Sequence, residues 1–377
     1  MRQHQAIEAG SPFEQLQGRG MRTAKLTKIV RQHDASLKRV VEHLSAREIH
    51  AAVDGLQARG RVIEIPDEHE RLRSIAKDYV AQREGALVIS PANKERVAIN
   101  SMIHKQLQEQ RSVHPVDHET SVYVNRQQMT GAERTFAGAY VPGEDILRYH
   151  TRSKVYGVRA GEYGRVTANN FADNTITVSL ESRREITYNP QRLSGVSVYR
   201  ESERHFAEGD RIQFRAPLHE HRVANSELGR IEQIEGQRFT VALDDGRRVR
   251  FDTGEFQHLD HGYTVTSYSS QGQTVERVII NANTTEPDVL LNQRMSYVAV
   301  SRAREDAVVY TNSEAELGEA LDRQVNKQMA LEAVHEAQPA SHQAEHSPPA
   351  FVQEQSHPVP DQGQRKEINN RGYGVSW

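Results

Sequence analysis

An interruption in the hydrophobic pattern constrains this chain more than any other feature. Residues 21–117 and 261–334 alternate strand-like and helix-like runs, whereas residues 118–260 hold short alternating runs broken by Gly and Asp/Asn turns. In the first stretch Leu37, Val40, Val41 and Leu44 recur at helical spacing, and Ser45 with Glu48 predicts a capping box for a second helix carrying Ile49, Val53 and Leu56. Arg61–Ile65 reads as a strand, Leu72, Ile75, Ala76 and Tyr79 as a helix, and Ala86-Leu87-Val88-Ile89-Ser90 as a buried strand. A helix with Val97, Met102, Ile103 and Leu107 follows. This alternation predicts one parallel α/β sheet with β modules inserted into it.

The inserted region repeats itself. Tyr140–Ile146 echoes Phe206–Ile212, Gly164-Arg165-Val166 echoes Gly229-Arg230-Ile231, and Thr175–Leu180 echoes Arg238–Leu243. Gly209 follows Gly143 by 66 positions and Gly229 follows Gly164 by 65, a nearly constant offset. Two tandem SH3-like β-barrel modules, residues 118–200 and 201–260, fit best, since two copies are too few for a solenoid. Residues 313–334 predict a terminal helix. Residues 335–377 form a tail in which Pro339, Pro348, Pro349, Pro358 and Pro360 lie among Gln, His, Ser and Glu, a composition expected to be disordered.

Composition narrows the function classes. With 36% hydrophobic residues and no long apolar run, no membrane insertion is expected. The N-terminus MRQHQAIEAG has no apolar core of the signal-peptide kind, and the absence of cysteine fits a reducing cytoplasm. A net charge of −3 gives no global attraction to nucleic acid, so such contact must come from a local groove. The 18 histidines are scattered, and His342 and His346 lie in the tail, so no metal site is expected.

Chemistry concentrates between Tyr263 and Arg304. Ser270-Gln271-Gly272-Gln273-Thr274 precedes the apolar run Val278–Ile280, and Ser301-Arg302-Ala303-Arg304 precedes the strand-like Ala307–Tyr310. Small hydroxyls, an amide and a glycine suit close contact with a phosphate backbone. An arginine where a helix meets a buried strand suits an anion, because guanidinium matches phosphate in a planar fork.

In this order and spacing the two segments resemble motifs V and VI of superfamily 1 helicases. Further segments make the chain resemble RecD-like helicases, most closely the second RecA-like motor domain of TraI-type conjugative relaxases. Gln3 matches the glutamine of motif III, which makes residues 1–20 a remnant of that region, and Arg31 in KIVRQHDASL matches the motif IV arginine that points at the γ-phosphate. Ser90-Pro91-Ala92-Asn93 with Ile99-Asn100 matches the family's SPxN…IN segment. Gly209-Asp210-Arg211 with Asn225-Ser226-Glu227-Leu228-Gly229 matches its β insertion, with Ser226 where the family has glycine. Tyr268 stands where many relatives carry histidine; it retains an aromatic face for stacking. The resemblance covers roughly residues 1–320.

The resemblance implies catalytic and nucleotide-facing roles for Arg302, the arginine finger, and for Arg31 and Gln3, with Gln271 also near the nucleotide. It implies single-stranded DNA contacts for Ser90, Asn93, Thr266, Tyr268, Ser270, Gln271, Gly272 and Thr274. Helix capping is an equal alternative for Asn93. Arg304 reads as structural or as a backbone contact. Val62–Glu68 imitates a Walker B strand, but it precedes a helix with no phosphate loop nearby, so Asp67 reads as a helix cap.

No Gly-x-x-x-x-Gly-Lys-Ser/Thr occurs in the sequence, so the backbone cradle and lysine for the β- and γ-phosphates are missing. The expectation is therefore the closing half of an ATP-dependent 5′-to-3′ DNA translocase from bacterial plasmid transfer, beginning just where a Gly-Asp pair should precede Gln3. ATP and Mg²⁺ would bind only with a first motor domain supplied by an upstream relaxase polypeptide, and single-stranded DNA and the conjugative transfer apparatus are the expected partners. A non-catalytic DNA- or apparatus-binding module and an inactive gene remnant are the other readings.

Overall fold

The computed structural model describes residues 20–22, 29–126, 129–193 and 195–324. Gln3, the 1–20 segment apart from Gly20, and the tail lie outside them. The chain opens with helices α1 (Ala35–Ala46) and α2 (Ile49–Gln57), strand β1 (Val62–Glu64), helix α3 (Glu68–Ala81), strand β2 (Ala86–Ile89) and helix α4 (Asn93–Glu109). Asp34 and Asp67 cap α1 and α3 by accepting from Leu37 N and Glu70 N, as a short acceptor before a helix does. Asp67 is thus a cap. The capping box expected from Ser45 and Glu48 does not form. Ser45 stays inside α1, Glu48 N donates to His43 O, and the Glu48 carboxylate turns to His43 Nδ1 at 2.6 Å. Only Arg47 and Glu48 separate the two helices, too few to release Ser45 from the first.

After strands β3 (His118–Asn125), β4 (Asp145–Tyr149), β5 (Tyr163–Asn170), β6 (Thr175–Leu180), β7 (Glu185–Tyr188) and β8 (Val196–Phe206), the chain forms β9 (Arg211–Phe214), β10 (Leu228–Glu235), β11 (Arg238–Leu243), β12 (Arg248–Asp252) and β13 (Leu259–His261). It then returns through β14 (Thr264–Val265), β15 (Val275–Ala282), α5 (Gln293–Val300), β16 (Ala303–Thr311) and α6 (Glu314–Asp322). The strands before and after the β region form one parallel sheet, in the order β1-β16-β15-β2-β14. Because side chains alternate across a strand, Leu87 and Ile89 of β2 face the layer of α1, α2, α5 and α6, while Ala86 and Val88 face α3 and α4. Burial on both faces is why β2 and β15 read as continuous apolar runs.

The two β modules are copies. The second sheet runs β12-β11-β10-β9-β13, and the first runs β7-β6-β5-β4-β8 with β3 added beyond β8. Gly143 N donates to Val166 O and Gly209 N to Ile231 O, both at 2.8 Å. Asp145 accepts from Val141 N and Asp210 from Ala207 N. Both central hairpins shift register at matching places, between Val166 and Ala168 and between Ile231 and Gln233. The expected boundary at 200/201 falls inside β8, which runs unbroken from Val196 to Phe206. Ser226 takes the left-handed conformation with φ of 70° and donates from its N–H to Phe214 O, so the turn geometry survives without the glycine.

At Gly164 and Gly229 the facing strand comes too close for a side chain. A Cβ at Gly229 would lie 2.6 Å from Val241 Cγ1 and 2.8 Å from Ala242 O; at Gly164 it would lie 2.5 Å from Val178 Cγ1. Gly229→Ala is therefore expected to destabilise the chain by about 1–3 kcal/mol in urea unfolding. A loss below about 0.5 kcal/mol would show that the hairpin yields freely.

The insertion is bolted to the sheet through α4, which carries buried polar groups at helical spacing. Arg96 Nη2 donates to Asp260 Oδ2 at 2.7 Å, Asn100 Nδ2 to His261 O and Thr264 O at 3.2 Å, and His104 Nδ1 pairs with Asp210 Oδ1 at 2.8 Å. The apolar face is Ile99, Ile103 and Leu107; Val97 and Met102, expected within it, are only half-buried.

Candidate functional site

Arg302 ends the short link between α5 and β16, and only 3% of it is exposed. Its Nε donates to Val298 O at 3.0 Å, Nη1 to Gln273 O at 3.4 Å and Nη2 to Ser301 Oγ at 3.1 Å. All three acceptors are neutral. Arg31, half-buried, lies beside it, donating from Nε to Thr274 Oγ1 at 3.0 Å and from Nη1 to Ser301 O. Among the described residues neither arginine has a carboxylate within ion-pairing distance. Burial, followed by the neighbouring Arg31 guanidinium, pulls Arg302 down to about 10. Arg304 differs, pairing with Glu276 at 2.8 Å on the surface.

The segment holding Arg31 is pinned along the same corner. Gln32 Nε2 donates to Ser301 O and Ala303 O, and His33 N to Arg304 O. Two arginines 271 positions apart in sequence thus share one corner at the N-terminal ends of β15 and β16.

The residues expected to touch single-stranded DNA divide by position. Ser90 follows β2 and Thr266 follows β14, at the C-terminal edge of the sheet, where Ser90 N donates to Val265 O at 3.0 Å. Thr274 precedes β15, at the opposite edge. In register, Val265 and Ile280 both stand level with Ile89, so the 266–274 loop crosses about five strand residues, roughly 16 Å. Thr274 joins the arginine corner; Ser90 and Asn93 do not.

Exposure divides them again. Ser90 and Ser270 are fully buried: Ser90 Oγ accepts from Asn281 Nδ2 at 3.1 Å and Ser270 Oγ donates to Ser267 O at 2.8 Å. Both hydroxyls serve the interior, a correction to their expected outward role. Ser90 belongs to a buried hub in which Asn281 and Arg71 both bond Glu95. Asn93 is the first residue of α4 and Ala92 its cap, so the capping alternative for Asn93 fails; Asn93 Oδ1 instead accepts from Arg96 Nε. Thr266 Oγ1 is bonded to Ser269 Oγ at 3.0 Å, Tyr268 is 41% exposed, and Gln271 and Thr274 face solvent. Gly272 has φ of +87°, a conformation that favours glycine.

Arg215 joins the site without any motif to announce it. It leaves β9 and reaches the loop, donating from Nη1 to Ser269 Oγ at 3.2 Å and to Gln213 Oε1 at 2.8 Å. Burial, followed by Arg96, pulls it down to about 10. It connects the second β module to the Ser/Thr loop, a contact with no local sequence signal.

Residues 1–67 match an AAA domain model and residues 261–310 match the UvrD-like helicase C-terminal domain. The multifunctional conjugation protein TraI of Escherichia coli K12 is 24% identical over 379 residues, covering 86% of this chain and 21% of TraI. A probable conjugal transfer protein TraA of Sinorhizobium fredii is 34% identical over 110 residues, covering 28% of this chain and 10% of TraA. The chain thus spans about a fifth or less of these relatives. Among solved structures, a Pif1 helicase from work on forked DNA unwinding aligns at 13% identity and a TM-score of 0.35, covering 82% of this chain and 53% of that one. Bacteroides Pif1 with ADP-AlF3 and ssDNA aligns at 16% and 0.29, covering 83% and 56%. No helix among the described residues is long and apolar enough to cross a membrane. The chain is thus similar to TraI-type conjugation proteins over most of its length, and its residues 261–310 match the UvrD-like helicase C-terminal domain.

Proposed function

We propose that this chain is the second, RecA-like motor half of an ATP-dependent 5′-to-3′ DNA helicase of the conjugative type, with two SH3-like insertions that help hold single-stranded DNA. The carrying observation is the Arg31–Arg302 corner. Two guanidiniums share it, one nearly dry, and among the described residues their partners are carbonyls and hydroxyls. A buried cation without a counter-ion is costly, and a nucleotide phosphate would supply the missing charge. In this reading Arg302 is the arginine finger and Arg31 its companion on the γ-phosphate. The phosphate loop and Mg²⁺ ligands come from a first motor domain, because the sequence holds no Gly-x-x-x-x-Gly-Lys-Ser/Thr. The half-exposed Tyr268 offers a base-stacking face, and Gln271, Gly272 and Thr274 offer backbone and small-group contacts. A cytoplasmic place in plasmid transfer follows from the same reading.

Binding of a fluorescent oligo-dT across a salt series tests the DNA half of the proposal. The logarithm of the affinity is expected to fall with the logarithm of salt, with a slope of about −0.7 per phosphate contacted. Tyr268→Ala is expected to weaken binding by about 1–3 kcal/mol while leaving that slope unchanged, because stacking carries no charge. Absence of binding at low salt would overturn it.

A further inference from the structure

The two β modules place a buried aspartate at the same point but neutralise it differently. In the first, Asp145 is held by Arg126 at 2.7 Å and Arg200 at 2.9 Å, two permanent cations. In the second, Asp210 is flanked by His104 and His261, both metal-ligating side chains. His104 comes from α4, Asp210 from the start of the second module and His261 from β13, so three distant segments converge on one point. All three are buried, and one ligand atom of each lies within 4.8 Å of the others. His104 Nδ1 is 2.8 Å from Asp210 Oδ1 and His261 Nε2 is 3.5 Å from Asp210 Oδ2.

A second observation points to a missing occupant. His261 Nε2 is buried and faces Asp210 Oδ2 at 3.5 Å, and among the described residues it makes no well-formed hydrogen bond. A buried imidazole nitrogen is ordinarily satisfied, and an orphan calls for a reason. The outer contacts have the form of a metal site's supporting shell. His104 Nε2 lies 3.1 Å from Asp117 Oδ1, giving a carboxylate–histidine arrangement, and Tyr263 Oη donates to Asp210 Oδ1 at 2.5 Å.

We propose that His104, Asp210 and His261 form a site for a divalent cation of the zinc or cobalt class, which clips the second β module to α4 and the returning strand. Imidazole nitrogen with carboxylate oxygen is the donor set these ions take. Bonds of 2.0–2.2 Å in a tetrahedral site put ligand atoms about 3.3 Å apart, so three ligand atoms lying within 4.8 Å of one another need only small shifts to close on an ion. No spacing rule reveals the set, since its members lie at positions 104, 210 and 261.

Cobalt titration of the chelator-treated full chain tests this. One Co²⁺ per chain is expected, with the visible absorption of a low-coordinate nitrogen/oxygen site, displaced by Zn²⁺. His261→Gln is expected to abolish that spectrum. Asp117→Asn changes a residue on the surface side of His104, so folding should tolerate it, and it is expected to weaken binding about 10–100-fold. His342→Ala with His346→Ala in the tail is expected to leave binding intact. Absence of stoichiometric binding by the unaltered chain, or binding indifferent to both His261→Gln and Asp117→Asn, would overturn the proposal.

Discussion

Asp260→Asn is expected to destabilise the chain by about 3–5 kcal/mol, more than Gly229→Ala, because it strands buried cations. Asp260 is 4% exposed and accepts from Arg96 Nη2 at 2.7 Å, Arg204 Nε at 3.0 Å and His261 N at 3.0 Å. The side chains of Arg96 and Arg204 are only 3% and 13% exposed, and Arg96 Nη1 already lacks a partner among the described residues. Asparagine keeps the shape and removes the charge, so neither guanidinium retains a carboxylate there. Burial pushes the Asp260 carboxyl up, but Arg96 and Arg204 outweigh it and hold it well below the usual carboxylate range. A depressed folded-state value means the stabilisation is present above the unfolded value, about pH 4, and is lost as pH falls below it. Urea unfolding from pH 7 down to pH 3 should therefore show a smaller acid loss in the variant than in the parent. A change under about 1 kcal/mol at pH 7 would mean that the module is not bolted through this pair.

Arg302→Ala is expected to leave stability nearly unchanged and to act on turnover instead. Its three partners are neutral, and removing a nearly buried cation also removes its desolvation cost, so the expected stability change is within about 1 kcal/mol. In a motor that also contains a phosphate-loop domain, the same variant is expected to lower kcat for DNA-stimulated ATP hydrolysis by about 10³-fold or more, with little change in nucleotide affinity. Arg302→Lys should recover little, because an ammonium cannot reproduce the planar fork. A kcat within about tenfold of the parent would assign Arg302 to packing alone.

Much of the fold could be read from the sequence because it rests on local pattern. The doubly buried strands β2 and β15, the cap at Asp67 and the repeated β module each have short-range signals. The repeat was legible down to Gly164 and Gly229, where one close strand approach recurs. The anchoring of the insertion was not legible. Nothing local marks Arg96 and His104 as anchors, and Asn100 was legible only as part of a motif, because their partners Asp260, Asp210 and His261 lie more than 100 positions away. The candidate site was legible only as separate motifs. Sequence order placed Arg302 and Thr274 near each other but could not show Arg31 bonded to Thr274. Nor could it distinguish Ser270, whose hydroxyl is spent on Ser267 O, from the exposed Gln271 one residue later.

In the proposed function the Arg31–Arg302 corner completes an ATP site whose phosphate-binding half lies on another domain. The most direct measurement is DNA-stimulated ATP hydrolysis by this chain alone, by a phosphate-loop motor domain from a TraI-type relative alone, and by the two together. Turnover is expected only in the mixture, and replacing Arg302 with alanine should abolish it. Appreciable hydrolysis by this chain alone, or a mixture that turns over equally well with Arg302→Ala, would contradict that role.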